Sequence, residues 1–423
     1  MSPNKTFTGD KLPDQALDHL PLLGSIEFEN STIDVRVART LAELRSLERE
    51  WTNLETRDGG RFKYFQSFDW CVNWAAFRRA DTSEGELYVL VALKGNDVIS
   101  IWPLMQDSAP LGIRKIVSLT FPAGQYTNLL CDGKHFPAQL GQKMLKLVKS
   151  SGEADCICLD LHPKNSVMAR IFAPFGAETP ETRAAAMYDL KRYPSSEELH
   201  ASLPKNLRKN RNKRRNALAR LGEVKLDVHP AGTPQYAKAV ETALGMKQAW
   251  LEARGHRTSF VEDKTNNEFL ASLTSRKDDQ GRIEGAFAFE LLLDDQPIAL
   301  EISFAERGHI YSFLGAFDWN MRGNSPGKIQ IEAAVGWAID NGYDYYDFLG
   351  EPADYKHYWS DTSTELAGRN VPLTLKGRLY CGVWLHMLRP LSYRALDALS
   401  PAWRGRLVAL LDSRKPKTDG SAA

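Results

Sequence analysis

Between residues 286 and 316 the chain carries three consecutive β-type runs, 286–293, 298–305 and 309–316, separated only by turn-forming residues. The first two are joined by Asp294-Asp295-Gln296-Pro297, a hairpin signal. A stretch with helical spacing, 326–341, follows and is closed by Gly342, and 343–349 reads as one more strand. Adjacent strands with short turns can bury their apolar face only as an antiparallel sheet, and the following helix has to cover that sheet. This part of the chain is therefore restricted to a mixed α/β layer structure.

The first half has a comparable grammar. Residues 33–37 read as a strand and 41–54 as a helix. Residues 68–77 are aromatic at helical spacing, with Trp70 and Trp74 four apart. Strands at 87–93 and 98–105 flank a Lys94-Gly95-Asn96-Asp97 turn, and further elements follow at 116–121 (strand), 137–150 (helix) and 156–161 (buried strand). No residue-level repeat accompanies this order, so a duplicated fold rests on the grammar alone. A chain of 423 residues has room for two domains. The expected division is a flexible tail (1–30), a first domain (31–200), a basic linker helix (201–222), a second domain (223–375) and a helical tail (376–423).

Hydrophobic residues at 43% and charged residues at 25% exclude a wholly disordered chain. A formal net charge of +1 provides no global field for nucleic acid or membrane, so any electrostatic partner needs a local patch. No apolar run reaches the ~18 residues of a membrane span, and residues 1–30 lack a signal peptide's basic head and apolar stretch. A cytoplasmic location is expected. The five cysteines, Cys71, Cys131, Cys156, Cys158 and Cys381, form no C-x-x-C pair, which argues against a disulfide framework or a zinc knuckle. Cys156 and Cys158 share one strand face and read as buried thiols. The nine histidines lack metal-type spacing, so no metal is expected.

The loop 318–328 carries the strongest site signal. Ser325 suits a helix N-cap and Pro326 the first helical position, while Gly327 leaves room for a ligand to approach the backbone. Free N–H groups and the positive dipole end there favour an anion such as a pyrophosphate, and Arg322 and Lys328 add charge. An ordinary capped helix is the alternative. Gly323-Asn324-Ser325-Pro326-Gly327 also spells G-x-S-x-G, but a nucleophile elbow needs an N–H after the serine and Pro326 has none.

The segment 281–359 resembles the GNAT acetyltransferase superfamily in its CelD-like branch, whose members are often labelled cellulose or exopolysaccharide biosynthesis proteins. The likeness rests on the strand pair around 299–304, the strand 311–318 and the Ser325-Pro326-Gly327 helix start. Asp347-Phe348-Leu349-Gly350, Tyr355-Lys356 and Trp359 also match. Upstream, Phe65-Gln66-Ser67-Phe68-Asp69-Trp70 resembles the branch's opening motif, and 203–222 its arginine-rich helix, so the likeness spans 33–371. It implies an α/β (α+β) fold of two tandem GNAT-like domains, with mixed, mostly antiparallel sheets flanked by helices. It also implies an acyltransferase that moves an acyl group, acetyl first of all, from acyl-CoA to an amine or hydroxyl. The acceptor would be a small molecule or saccharide, in polysaccharide or cell-envelope biosynthesis. The CoA pyrophosphate would sit on 323–328, with Arg322, Ser325, Gly327 and Lys328, and the pantetheine along 309–316, with Leu314 and Gly315. The loop departs from the usual Q/R-x-x-G-x-G/A pattern, having one glycine where two are typical. The branch also resembles Fem-type peptidyltransferases, so aminoacyl-tRNA is an alternative donor and a non-catalytic binding protein an alternative role.

Other residues complete the expected site. A symmetric 294–297 turn would set Glu290 opposite Glu301, either as a general base with a raised pKa or as an Arg-paired or solvated face. Asp347, on the face of Tyr343 and Tyr345, could orient the acceptor. Tyr355 could protonate the leaving thiolate and Lys356 could bind an acidic acceptor, unless 355–359 is a packing cluster. The helix 203–221, ended by Gly222, breaks its leucine stripe with Asn210, Arg211 and Arg214. That interruption suits an anion (CoA phosphate, acidic glycan or tRNA), with a solvated linker as the plain alternative, and no reader motif points to DNA. Trp70 in the opening motif, and Tyr126 within 124–128, are the expected acceptor-side aromatics, with core packing the alternative for 124–128.

Overall fold

The first hairpin lies where the sequence predicts only a tail. In the computed structural model, which describes residues 17–78, 85–133, 136–175, 178–179, 183–256, 258–350 and 359–388, β1 (Leu22–Phe28) pairs antiparallel with β2 (Ser31–Ala38). The turn between them is Glu29-Asn30, both at positive φ (46° and 58°), as a two-residue hairpin turn requires. Ile26 and Ile33 are buried beneath it, so apolar burial recruits part of the expected 1–30 tail into the sheet.

The remaining strands of the first half are β3 (Glu86–Leu87), β4 (Val89–Lys94), β5 (Asp97–Trp102), β6 (Leu104–Ala109), β7 (Ile113–Ser118), β8 (Leu130–Cys131), β9 (Cys156–Pro163) and β10 (Arg183–Asp189). The second half adds β11 (Val224–Pro230), β12 (Ser275–Lys277), β13 (Ile283–Leu293), β14 (Gln296–Glu306), β15 (His309–Phe317), β16 (Tyr345–Asp347) and β17 (Thr362–Pro372). The single strand expected at 98–105 is split at Pro103. A proline cannot donate to a ladder, so β5 stays in a five-stranded sheet, β1-β2-β4-β5-β8, while β6 joins a second sheet.

That second sheet has twelve strands in the order β11-β13-β14-β15-β16-β10-β17-β9-β7-β6-β3, with β12 on β13. It is mostly antiparallel. Two parallel pairs interrupt it, β7 with β9 and β15 with β16, and each is connected through a crossing helix, Ala138–Ser151 and Pro326–Asp340. The mixed, mostly antiparallel α/β architecture expected from the sequence is thus present.

The halves exchange strands. β10, from the first half, lies between β16 and β17, and β17, from the end of the second half, pairs with β9. One continuous ladder therefore crosses the expected boundaries at 200 and 223, and hydrogen-bond register sets how the halves meet. β17 carries little apolar periodicity in its sequence, Thr-Ser-Thr-Glu-Leu-Ala-Gly-Arg-Asn-Val-Pro, and escapes a sequence reading for that reason.

Helices cover both faces of the second half. Leu300, Ile302 and Phe304 point into the cluster shared with the Pro234–Ala253 helix, and Phe287, Phe289 and Ala305 into that shared with the Pro326–Asp340 helix. The basic helix runs Lys205–Ala219 and is capped by Arg220, not Gly222. Gly222 instead lies against Asp294, whose carboxylate accepts the Glu223 N–H. Among the described residues, no helix is long and apolar enough to cross a membrane.

Candidate functional site

The site is built where β15 leaves β16. β15 pairs with β14 up to Ser303↔Ser312 and then slips by one residue, so that Ile302 faces Leu314. The extra residue, Phe313, makes a β-bulge, which bends the strand. On its other edge β15 pairs with β16 only over His309↔Tyr345 to Tyr311↔Asp347. Beyond Tyr311, no described strand lies along that edge. Leu314 is buried, while Gly315 is exposed with open space where a side chain would stand.

The 3-10 turn Trp319–Asn324 carries the chain to the Pro326–Asp340 helix. Ser325 holds the N-cap position, but in the left-handed region (φ 55°, ψ 47°), and its side chain makes no capping bond. This corrects the expected hydroxyl cap. A capping side chain needs an extended backbone to reach back to the first turn. Pro326 has no N–H, and the Lys328 and Ile329 N–H groups both donate to the Ser325 carbonyl (3.1 and 3.4 Å). The Gly327 N–H has no partner among the described residues. A Cβ on Gly327 would meet the Phe317 ring at 3.4 Å, so this glycine faces the end of β15. Arg322 and Lys328 are exposed nearby, with the Arg322 guanidinium 5.2 Å from the Trp319 ring centre.

Asp347 is fully buried where the divergence starts. Its Oδ2 accepts the Tyr126 hydroxyl (2.6 Å) and lies 3.1 Å from His309 Nε2, while Oδ1 accepts the Leu349 N–H (2.7 Å). Leu349 takes positive φ (61°), an uncommon conformation for a leucine and one associated with constrained sites. With Nε2 bonded to the carboxylate, the network assigns the His309 proton to Nε2. Nδ1 is buried and has no hydrogen-bond partner among the described residues. The His309 ring stacks on Tyr311 (4.4 Å) and meets Phe62 edge-on (5.3 Å), and Phe62 also packs on Tyr126 (4.8 Å). Burial and the Asp347 charge hold the Tyr126 phenol well above its usual pKa. Tyr126 belongs to this network rather than to a cleft wall. His309 was missed by sequence reading, since a lone histidine opening a strand carries no signal until Asp347 is placed on the next strand.

Glu306 continues the polar row. It accepts the Lys63 N–H (3.1 Å) and the Tyr311 hydroxyl (3.3 Å), and burial pushes its carboxyl up to about 7. Beside this row lies a cavity of about 830 Å³ between the halves, lined in part by Arg61, Phe62, Asn128, Lys164 and Arg170.

Glu301 lies elsewhere. The Asp294-Asp295 turn is two residues at positive φ, and a register shift after it sets Glu301 opposite Phe289, not Glu290. Glu290 instead sits 2.7 Å from His229 Nε2. Glu301 faces the Pro326–Asp340 helix and accepts from Tyr346, from Ser303 (2.7 Å) and from Gln330 (3.4 Å), the face opposite to that of Asp347. Burial raises its pKa, opposed by those hydrogen bonds. The structure thus separates the two carboxylates that sequence reading grouped as catalytic.

The expected acceptor residues also divide. Trp70 is fully buried among Phe65, Phe269 and Phe304, with ring centres 4.8–5.1 Å away, and presents no face to a cleft. Arg211 is 1% exposed, lies 3.7 Å over the Trp359 ring, and has Nε and one terminal nitrogen without a partner among the described residues. Arg214 is half-buried on the same helix, and Lys209 and Lys213 are exposed. Tyr355 and Lys356 lie outside the described residues.

Residues 205–357 match the family described as Acetyltransferase (GNAT) domain. A search of curated proteins finds no match to the chain. Among solved structures, the fold is similar to that of FemX at 11% identity and a TM-score of 0.52, covering 80% of this chain and 98% of that one. It is also similar to the C-terminal domain of a protein described as a lysylphosphatidylglycerol synthetase from Agrobacterium fabrum, at 12% identity and a TM-score of 0.50, covering 81% and 95%. At these identities the likeness is one of fold.

Proposed function

We propose that this chain is an acyltransferase that moves an acyl group, acetyl in the simplest case, from acyl-CoA to an amine or hydroxyl of a small-molecule or saccharide acceptor. The observation that carries this reading is the divergence of β15 from β16 at the Tyr311↔Asp347 pair. An edge able to hydrogen-bond an extended pantetheine chain along 312–317 leads directly to Asp347 and His309. The Gly327 N–H, Arg322 and Lys328, beside the far end of β15, suit the pyrophosphate. The match of 205–357 to a GNAT acetyltransferase domain supports the same assignment.

In this reading the acceptor attacks the thioester carbonyl, a C–N or C–O bond forms, and the C–S bond breaks. His309 Nδ1 takes the acceptor proton, while Nε2–H donates to Asp347 and Tyr126 shares the carboxylate. Backbone N–H groups on the β15 edge stabilise the oxyanion, and Tyr355 protonates the leaving thiolate. Arg61, Lys164 and Arg170 would hold an anionic group of the acceptor in the cavity beside Phe62, with Lys356 as a further cation. The exposed Lys209 and Lys213 keep aminoacyl-tRNA as a second donor.

The test is calorimetry with acetyl-CoA and longer acyl-CoAs, followed by thiol release with amine and saccharide acceptors. Micromolar-range binding with acceptor-dependent release of CoA is expected. No binding of any acyl-CoA would overturn the reading, product formed only with charged tRNA would establish the second donor, and binding without turnover would mark a non-catalytic protein.

A further inference from the structure

The five cysteines are scattered in sequence, but three of them meet. Cys156 and Cys158 alternate on β9 and so lie on one face, and Cys381 arrives from the Tyr380–Leu388 segment at the other end of the chain's second half. One Sγ from each lies within 4.8 Å of the other two, and the Cys156 and Cys158 sulfurs are 3.8 Å apart. We propose that Cys156, Cys158 and Cys381 bind one thiophilic d10 cation, zinc(II) or copper(I), which clamps the C-terminal segment onto β9.

The magnitudes favour a ligand set over incidental packing. Three sulfurs each ~2.3 Å from a common ion stand about 3.8 Å apart in a tetrahedral face and about 4.0 Å apart in a trigonal plane. The Cys156–Cys158 separation already has that value, and closing the others needs sulfur shifts of at most about 1 Å, within the reach of a χ1 adjustment. The donor set is all thiolate, which selects soft ions over magnesium, calcium or manganese. Ile113, Ala109 and Leu385 pack around the sulfurs, so thiolates form there only together with a cation that neutralises them. Cys156 and Cys381 are buried, and Cys158 is half-buried. The Cys158 side gives the ion an approach path, and gives zinc(II) a fourth position for water. Copper(I) is satisfied by the three sulfurs. As the ion binds, three metal–sulfur bonds form and three thiol protons leave to solvent, with no electron moved.

The backbone brings Cys381 into place by a specific device. After β17 the chain turns on Asp155, whose carbonyl accepts the Leu373 and Thr374 N–H groups (2.9 and 3.2 Å). Thr374 then caps the Leu375–Leu379 helix, accepting from Gly377 N (3.1 Å) and donating to Asp155 Oδ1 (3.0 Å). A Cβ on Gly377 would lie 1.7 Å from the Asp155 carbonyl oxygen, so only glycine lets this turn close on β9. The inference is independent of the acyl-transfer reading, because none of these residues belongs to the Asp347 constellation.

The test uses the full chain, purified under reducing conditions and loaded separately with zinc(II), copper(I) or cobalt(II), then gel-filtered. Native mass spectrometry should find one zinc or copper ion per chain, and whichever ion survives competition with the other identifies the preferred metal. Cobalt(II) should give an intense sulfur-to-metal charge-transfer band. Cys156→Ser, Cys158→Ser and Cys381→Ser should each lose the ion, as should Gly377→Ala, which keeps every thiol. Cys71→Ser should retain it. A wild-type chain that keeps neither zinc nor copper overturns the proposal, and so does a serine variant that binds as well as wild type. Should the serine variants fail to fold, alkylation of the half-buried Cys158 in the wild type decides: metal should protect it, and equal labelling of Cys158 with and without metal refutes the site.

Discussion

His309 Nε2 reaches Asp347 Oδ2 at 3.1 Å diagonally across a parallel strand pair, since the residue directly opposite His309 is Tyr345. The carboxylate thereby fixes which imidazole nitrogen carries the proton. Asp347→Asn can present its amide N–H to Nε2 and force the proton onto Nδ1. The expected result is a fall in kcat of about 10²–10⁴ with acyl-CoA affinity changed less than about twofold. His309→Ala should match it, and Tyr126→Phe should cost less, because Asp347 keeps its bonds to His309 and Leu349. Steady-state kinetics with donor calorimetry on the three variants checks this, and full activity in His309→Ala would remove His309 from the mechanism.

Glu306 sets a pH dependence of stability. Its folded-state carboxyl is pushed up to about 7 from an ordinary value of 4.5, so between those values the folded chain holds a proton that the unfolded chain has lost. The contribution is fully present below about pH 4.5 and is lost as pH rises through 7. Glu306→Gln cannot ionise and should flatten that part of the curve. Relative to wild type it should be more stable at pH 8 than at pH 5, by on the order of 2–3 kcal/mol. Urea titrations of both proteins across pH 4.5–8 measure the difference, and parallel curves would mean that Glu306 is not the group.

Ser325 should tolerate loss of its hydroxyl. Its side chain caps nothing, so Ser325→Ala should change stability by no more than ~0.5 kcal/mol. Ser325→Gly should stabilise by about 1 kcal/mol, because glycine adopts the left-handed backbone without the Cβ clash. Both should keep turnover. Thermal melts and kinetics test this, and loss of activity in Ser325→Ala would return a chemical role to the hydroxyl.

Arg211 and Arg214, paired by sequence as an anion grip, should behave differently. Arg211 is buried over Trp359, so Arg211→Ala should destabilise by about 2–4 kcal/mol through lost packing. Arg211→Met, which keeps the volume, should recover most of that. Arg214→Ala should stay within about 0.5 kcal/mol. Denaturation midpoints separate the outcomes, and equal effects at the two positions would contradict the placement of Arg211.

Much of the second half was legible because its signals are local. The three strands 286–316, the Pro326 helix and the Asp347 strand each announce themselves through side-chain periodicity, turn residues or a proline at a helix start. Asp347 stands out for a local reason too, because alternation puts it on the face of Tyr343 and Tyr345 at the end of the strand that follows the Pro326 helix. Periodicity failed where burial came from partners distant in sequence. β1 looked like a tail until β2 covered it, and β17, between β10 and β9, has almost no apolar pattern of its own.

The sequence by itself determined the strands and helices that carry their own periodicity, among them 286–316, the helix after the 318–328 loop and the basic helix, because each depends on residues within a few turns of one another. Tertiary structure alone decided which groups share a site. A one-residue register shift in the 283–306 hairpin moved Glu301 away from Glu290, and strand alternation put it on the opposite face from Asp347. The parallel pairing of β15 with β16 brought His309 to Asp347, and packing between the halves added Tyr126, 221 positions away in the chain. Register and interdomain contact depend on the summed burial of whole sheets, and no window of sequence contains that sum.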